Sequence, residues 1–118
     1  MKIIDIINAN IAKDAPTLSF EVFPPKTSDS IDTVMNATSE IAKLNPAFMS
    51  VTYGAGGGTS QYTVSIAENL QNNFSIPSLA HLSCVSSTKD EIKAQLDTLR
   101  EKGIENILAL RGDIPEGM

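Results

Sequence analysis

The chain has 118 residues, 9 basic and 14 acidic, with one His, one Cys and no Trp; 42% are hydrophobic and 19% charged. This is the balance of a folded chain of one-domain length, and a net charge of −5 removes the basic footprint of a nucleic-acid binder. A lone Cys excludes an internal disulfide framework and a Cys-rich zinc site, and no apolar run approaches the ~20 residues of a membrane helix.

The first segment, MKIIDIINANIAKD, reads as a weak helix over residues 2–12. It carries Asp5 and no small-residue cleavage site, so it does not read as a signal peptide. A reducing, cytoplasmic setting is expected. Leu18 to Phe23 is a short, mostly apolar run closed by Pro24-Pro25, which cannot donate to a sheet ladder and so ends a strand. Within residues 29–44, Ile31, Val34, Met35, Thr38, Ile41 and Ala42 recur at helical spacing, and Asn45-Pro46 stops them.

The same cycle then repeats. Ala47 to Thr52 predicts a second strand, followed by the glycine cluster Gly54-Ala55-Gly56-Gly57-Gly58. Thr59 or Ser60 can cap a helix whose inner face is Thr63, Ile66, Ala67 and Leu70, ending by Asn72-Asn73 and Pro77. Ser78 to Cys84 predicts a third strand. Thr88 and Glu91 have capping-box spacing, in which the Thr hydroxyl accepts from the third helical N–H and Glu reaches back. Ile92, Gln95, Leu96 and Leu99 continue that helix, and Gly103 suits the left-handed position beyond it. Ile104 to Leu110 is a fourth strand, running into Arg111-Gly112-Asp113.

Strands that begin near 18, 47, 78 and 105 are spaced by roughly 30 residues, as in successive βαβ units. The fold class is therefore α/β with a parallel sheet, either an open doubly wound sheet or part of a (β/α) barrel. Both place function at the C-terminal ends of the strands.

Several side chains at those ends have two readings. Glu21 lies inside an apolar run; there it either loses part of its hydration, which suits a general acid, or points to solvent or pairs with a base on an alternating strand. His81 either faces the mouth of the fold or is a satisfied core histidine. Cys84 has no base near it in sequence and is expected to be a small buried residue. Arg111 offers a fork for phosphate or carboxylate, Gly112 lets a ligand approach, and Asp113 accepts hydrogen bonds; a plain surface turn is the alternative. Lys26 is a second cation at the same end or a solvated lysine. The glycine cluster fits neither phosphate-binding fingerprint: the sixth position from Gly54 is Thr59, and no GxxxxGK[ST] occurs.

Four segments together resemble one family. Phe20-Glu21-Val22-Phe23-Pro24-Pro25-Lys26, Ser50-Val51-Thr52-Tyr53-Gly54-Ala55-Gly56-Gly57, Ala80-His81-Leu82-Ser83-Cys84 and Leu108-Ala109-Leu110-Arg111-Gly112-Asp113-Ile114-Pro115 are similar, in order, to motifs of the methylenetetrahydrofolate reductases. Val22 and Lys26 stand where many members have Phe and Arg. The resemblance implies a (β/α)8 TIM barrel with FAD at the C-terminal ends of its strands. It implies hydride transfer from NAD(P)H to FAD and on to 5,10-methylenetetrahydrofolate, giving 5-methyltetrahydrofolate in one-carbon metabolism and methionine biosynthesis. By the same resemblance Glu21 and Asp113 are catalytic, Glu21 as the general acid in folate ring opening. Thr52, Tyr53, Ala55, His81, Arg111, Gly112 and Asp113 line the cofactor site. Folate and nicotinamide are the implied partners, with a homo-oligomer expected and no metal.

A barrel of this kind needs ~250 residues, so residues 1–118 are expected to form its N-terminal half. The competing expectation is a non-catalytic half-barrel that self-associates.

Overall fold

The computed structural model describes residues 1–53, 60–85 and 87–113. Its elements are α1 (Ile3–Ala12), β1 (Ser19–Val22), a 3₁₀ turn (Ser28–Ser30), α2 (Ile31–Ala42), β2 (Phe48–Val51), α3 (Ser60–Phe74), β3 (Ser78–Ser83), α4 (Lys89–Glu101) and β4 (Asn106–Leu110). Each falls inside or next to its expected range. The strands are a residue or two shorter at their ends, where Pro24 closes off β1 and the ladders of β2 and β3 stop at Val51 and Ser83.

All four strands pair parallel, in the spatial order β1-β2-β3-β4. This order separates the two architectures left open above. A doubly wound sheet reverses its strand order at a switch point, whereas a barrel winds in one direction. The sheet is the one-directional kind, a partial (β/α) barrel.

One-directional winding puts the crossover helices on one face. Val22, Met49, Val51 and Ala80 from the strands share a single buried cluster with Ala42 of α2, Ile66, Ala67 and Leu70 of α3, and Leu99 of α4. The inner face expected for α3 is buried at all four positions, Thr63, Ile66, Ala67 and Leu70. Two buried hydroxyls tie α3 to its flanking strands: Thr63 Oγ1 donates to the Thr52 carbonyl at 2.8 Å, and Ser78 Oγ donates to the Ala67 carbonyl at 2.8 Å. Each gives a buried hydroxyl a hydrogen-bond partner.

Local chemistry at the termini behaves as read. Thr88 and Glu91 form the complete capping box of α4. Gly103 adopts φ +79° after α4, a conformation that costs glycine little. The expected apolar face of α4 is less covered: Leu99 is buried, but Leu96 is exposed and borders a groove of about 440 Å³ with Arg100, Ile104 and Ile107. No described helix is long and apolar enough to cross a membrane.

The remaining strand residues alternate onto the opposite face, and helices do not cover it. Leu108 and Leu110 of β4 are 40% and 38% exposed there. This departs from strands apolar and buried on both sides; the two-sided pattern is in the sequence, but the described chain supplies one covering layer.

Helix α1 contributes no fully buried residue. Its attachment is a fork at the start of β4: Asn106 Oδ1 accepts from the Ile3 N–H at 2.9 Å, and Asn106 Nδ2 donates to the Met1 carbonyl at 3.0 Å. Asn106→Ala removes both bonds and should destabilise the fold by about 1 kcal/mol. Amide exchange should accelerate in residues 3–12 and remain unchanged in α3. Unaltered protection of α1 would show that it is anchored elsewhere.

Candidate active site

The open face carries the polar residues singled out from the sequence. Parallel pairing sets Glu21 of β1 beside Ser50 of β2, and Ser50 beside Leu79 of β3. Two residues further along β3, His81 points to the same face. Glu21 thus reaches diagonally across β2, and its Oε1 stands 3.5 Å from His81 Nε2.

The two partners are held very differently. The His81 side chain is 10% exposed and the Glu21 side chain 48%. His81 lies on a strand hydrogen-bonded on both sides, so its ring direction is set by packing. Glu21 lies on an edge strand of four residues. The Glu21 carboxylate is half in solvent and stands beside a base.

His81 fits neither of its readings fully. It is nearly buried, as a core histidine would be, yet Nε2 has no hydrogen-bond partner among the described residues. The Glu21 carboxylate is near enough to attract it but lies outside hydrogen-bonding geometry. An unmade bond at a buried ring nitrogen costs about 1–3 kcal/mol, so this atom is primed to take one.

The end of β2 is clamped from behind. The Thr52 N–H donates to the Val22 carbonyl at 3.0 Å, and the Thr52 carbonyl takes the Thr63 hydroxyl. Tyr53 does not offer its hydroxyl to the open face. That hydroxyl is within 3.2 Å of Gln95 Oε1 and 3.1 Å of Gln95 Nε2, on α4. Gln95 is a site-supporting residue that the sequence shows only as part of the helical spacing of α4. An amide among Ile92, Leu96 and Leu99 was the available signal, since a half-buried amide needs a partner. Ala55 and the rest of the glycine cluster lie outside the described residues.

After β4 the chain passes close over β3. The Cys84 N–H donates to the Leu110 carbonyl at 3.0 Å, extending the ladder past the strand end. Gly112 follows at φ +80°, and a Cβ there would meet the Ser83 hydroxyl and stand 2.6 Å from Val85 Cγ1. Only a residue without a side chain fits. The backbone of Arg111-Gly112-Asp113 therefore lies low across the strand ends, with Arg111 and Asp113 exposed on either side. No hydrogen bond or ion pair among the described residues joins Asp113 to Glu21. Lys26 is exposed, as in its solvated reading.

Cys84 overturns its expectation. It is a free, exposed thiol, because β3 ends at Ser83 and the chain is leaving the sheet at the next residue. Among the described residues no cluster of His, Cys, Asp and Glu could hold a metal ion.

Comparison with known proteins bears on this arrangement. A family model described as methylenetetrahydrofolate reductase matches residues 6–118. The methylenetetrahydrofolate reductase (NADH) 1 of Arabidopsis thaliana is 38% identical over 117 residues, 99% of this chain and 20% of that protein. The 5,10-methylenetetrahydrofolate reductase of Escherichia coli (strain K12) is 36% identical over 115 residues, 96% of this chain and 39% of that protein. Methylenetetrahydrofolate reductase 2 of Schizosaccharomyces pombe is 39% identical over 116 residues, 98% of this chain and 18% of that protein. The chain thus spans well under half the length of these relatives.

Gly112→Ala tests the close approach over β3. Positive φ and the collision with Val85 together should cost on the order of 1–3 kcal/mol, read as a lower denaturant midpoint. Adding Val85→Ala should recover only part of the loss, because φ stays unfavourable. A Gly112→Ala protein with the parental midpoint would contradict the packing described.

Proposed function

The chain belongs to the methylenetetrahydrofolate reductase family, and from that premise we propose that it forms the N-terminal half of a (β/α)8 barrel that reduces 5,10-methylenetetrahydrofolate to 5-methyltetrahydrofolate with NAD(P)H and FAD. The printed name of the Arabidopsis relative specifies NADH, which favours that nicotinamide. The other half of the barrel is assigned to the part of the relatives' length that lies outside this chain.

The residues present suit a flavin. Gly112 leaves a low shelf of backbone where a Cβ would intrude. Arg111 brings a fixed cation to that shelf, which favours an anionic cofactor. Thr52, Tyr53, Ala55, His81, Arg111, Gly112 and Asp113 are the residues that would hold FAD. When bound, FAD accepts hydride from the nicotinamide and donates it to the folate. Tyr53 contributes through its ring and backbone, since Gln95 occupies its hydroxyl.

Glu21 is the proposed proton donor. The observation that carries this is its placement: a carboxyl on the open face, reachable from solvent, at the C-terminal end of β1. A general acid must lie within hydrogen-bond reach of the atom it protonates, and a half-exposed carboxyl on the open face is open to such an approach. Its proton goes to the folate nitrogen as the five-membered ring opens, leaving the carboxylate beside His81. Asp113, acceptor-only when ionised, shapes the charge at the opposite edge of the mouth.

The test is Glu21→Gln in the full-length enzyme. Flavin reduction by NAD(P)H should remain within a few-fold of the parent, while folate reduction falls by about 10²–10⁴-fold, the scale of general acid catalysis. Equal loss of both half-reactions in a variant that retains FAD would remove Glu21 from the proposed role.

A second reading has its own observation. Strands β1 and β4 are both unpaired edges, and Leu108 and Leu110 present apolar surface beside one of them. Such edges invite pairing, so residues 1–118 alone could associate as a non-catalytic half-barrel. Sedimentation of that polypeptide decides: this reading expects a dimer or larger, and a monomer with a cooperative melt contradicts it.

A further inference from the structure

We infer that His81 is the positioning residue of Glu21, holding the carboxyl over the mouth of the sheet through its Nε2 atom. The inference rests on the reading of Glu21 as proton donor. It gives the imidazole a duty distinct from contact with the cofactor.

The pair is asymmetric, and the asymmetry fixes which member positions the other. The His81 ring is nearly buried on a central strand paired to both neighbours, so it has little freedom to turn. The Glu21 side chain is 48% exposed. Ser50, directly beside Glu21 in register, makes no hydrogen bond to it among the described residues. Left to itself, a Glu side chain samples several rotamers, only some of which face the mouth.

His81 Nε2 is the polar group that removes this freedom. It is buried, lacks a hydrogen-bond partner and stands 3.5 Å from Oε1, so a small rotation of the carboxyl completes a bond that both atoms lack. With its proton on Nε2, the imidazole donates to Oε1 whether Glu21 is acid or carboxylate, and Oε2 carries the proton delivered to folate. Proton transfer to substrate depends steeply on placement, so loosening the carboxyl should slow the folate step far more than it weakens folate binding.

A double-mutant cycle at saturating flavin tests this in the full-length enzyme. His81→Phe should lower kcat for folate reduction by about 10–100-fold with a smaller change in KM. His81→Gln, which keeps an N–H donor at similar reach, should recover most of that rate. In a Glu21→Gln background His81→Phe should cost nothing further, because there is no proton donor left to position. The same loss in both backgrounds overturns the inference, as does a loss confined to flavin affinity. A spectroscopic readout stands apart from turnover. The His81 nitrogens, assigned by their disappearance in His81→Gln, are compared in parent and Glu21→Gln proteins; Nε2 should shift and Nδ1 should not. Folate turnover with an unmoved Nε2 defeats the positioning role alone. A shifted Nε2 in a parent enzyme without folate turnover defeats the assigned activity instead.

Discussion

The structure depends on one constraint: every crossover in the sheet runs in the same direction. Four parallel strands taken in chain order, joined by three crossover helices, leave those helices no choice but one face. That face becomes the core. The other is left to whatever side chains the alternation of the strands delivers. Glu21, Ser50, His81 and Ser83 arrive there because they sit one residue out of step with Val22, Val51, Ala80 and Leu82. A strand slipped by a single residue would bury the carboxylate and expose the core.

The open face is also where rigidity and freedom meet. His81 takes its rigidity from near-complete burial on a strand bonded on both sides, whereas the Glu21 carboxyl is half in solvent. Gly112 adds a third element, a stretch of backbone pressed onto Ser83 and Val85 that no side chain could share. Behind them, Thr63 and Gln95 hold the end of β2 from the helical layer. Precise placement of a few polar groups is thus maintained by the packing of residues that never touch the open face.

Much of this was legible in the chain itself. The four buried positions of α3 follow from helical period alone, and the Thr88–Glu91 capping box and left-handed Gly103 follow from local backbone chemistry. The ends of the strands were legible because proline and glycine end ladders for steric reasons. The motifs around Glu21, Thr52, His81 and Arg111 marked the strand ends and pointed to the family. What went astray depended on neighbours distant in sequence. Cys84 was expected to be buried and is exposed, since its strand stops one residue earlier. Tyr53 turns its hydroxyl to an amide 42 residues away. Leu96 keeps the right period on α4 but lacks a covering element among the described residues.

The sequence by itself determined the elements, their order, the parallel class of sheet and the residues at its functional edge. Those properties come from period, capping and turn chemistry, which act over a few residues. The tertiary structure showed the strand order of a barrel, which the family resemblance implied and which period and turn chemistry left open. It alone paired Glu21 with His81 and left Nε2 without a hydrogen bond. That contact spans three strands, and its length is set by register and by the unequal burial of its two ends.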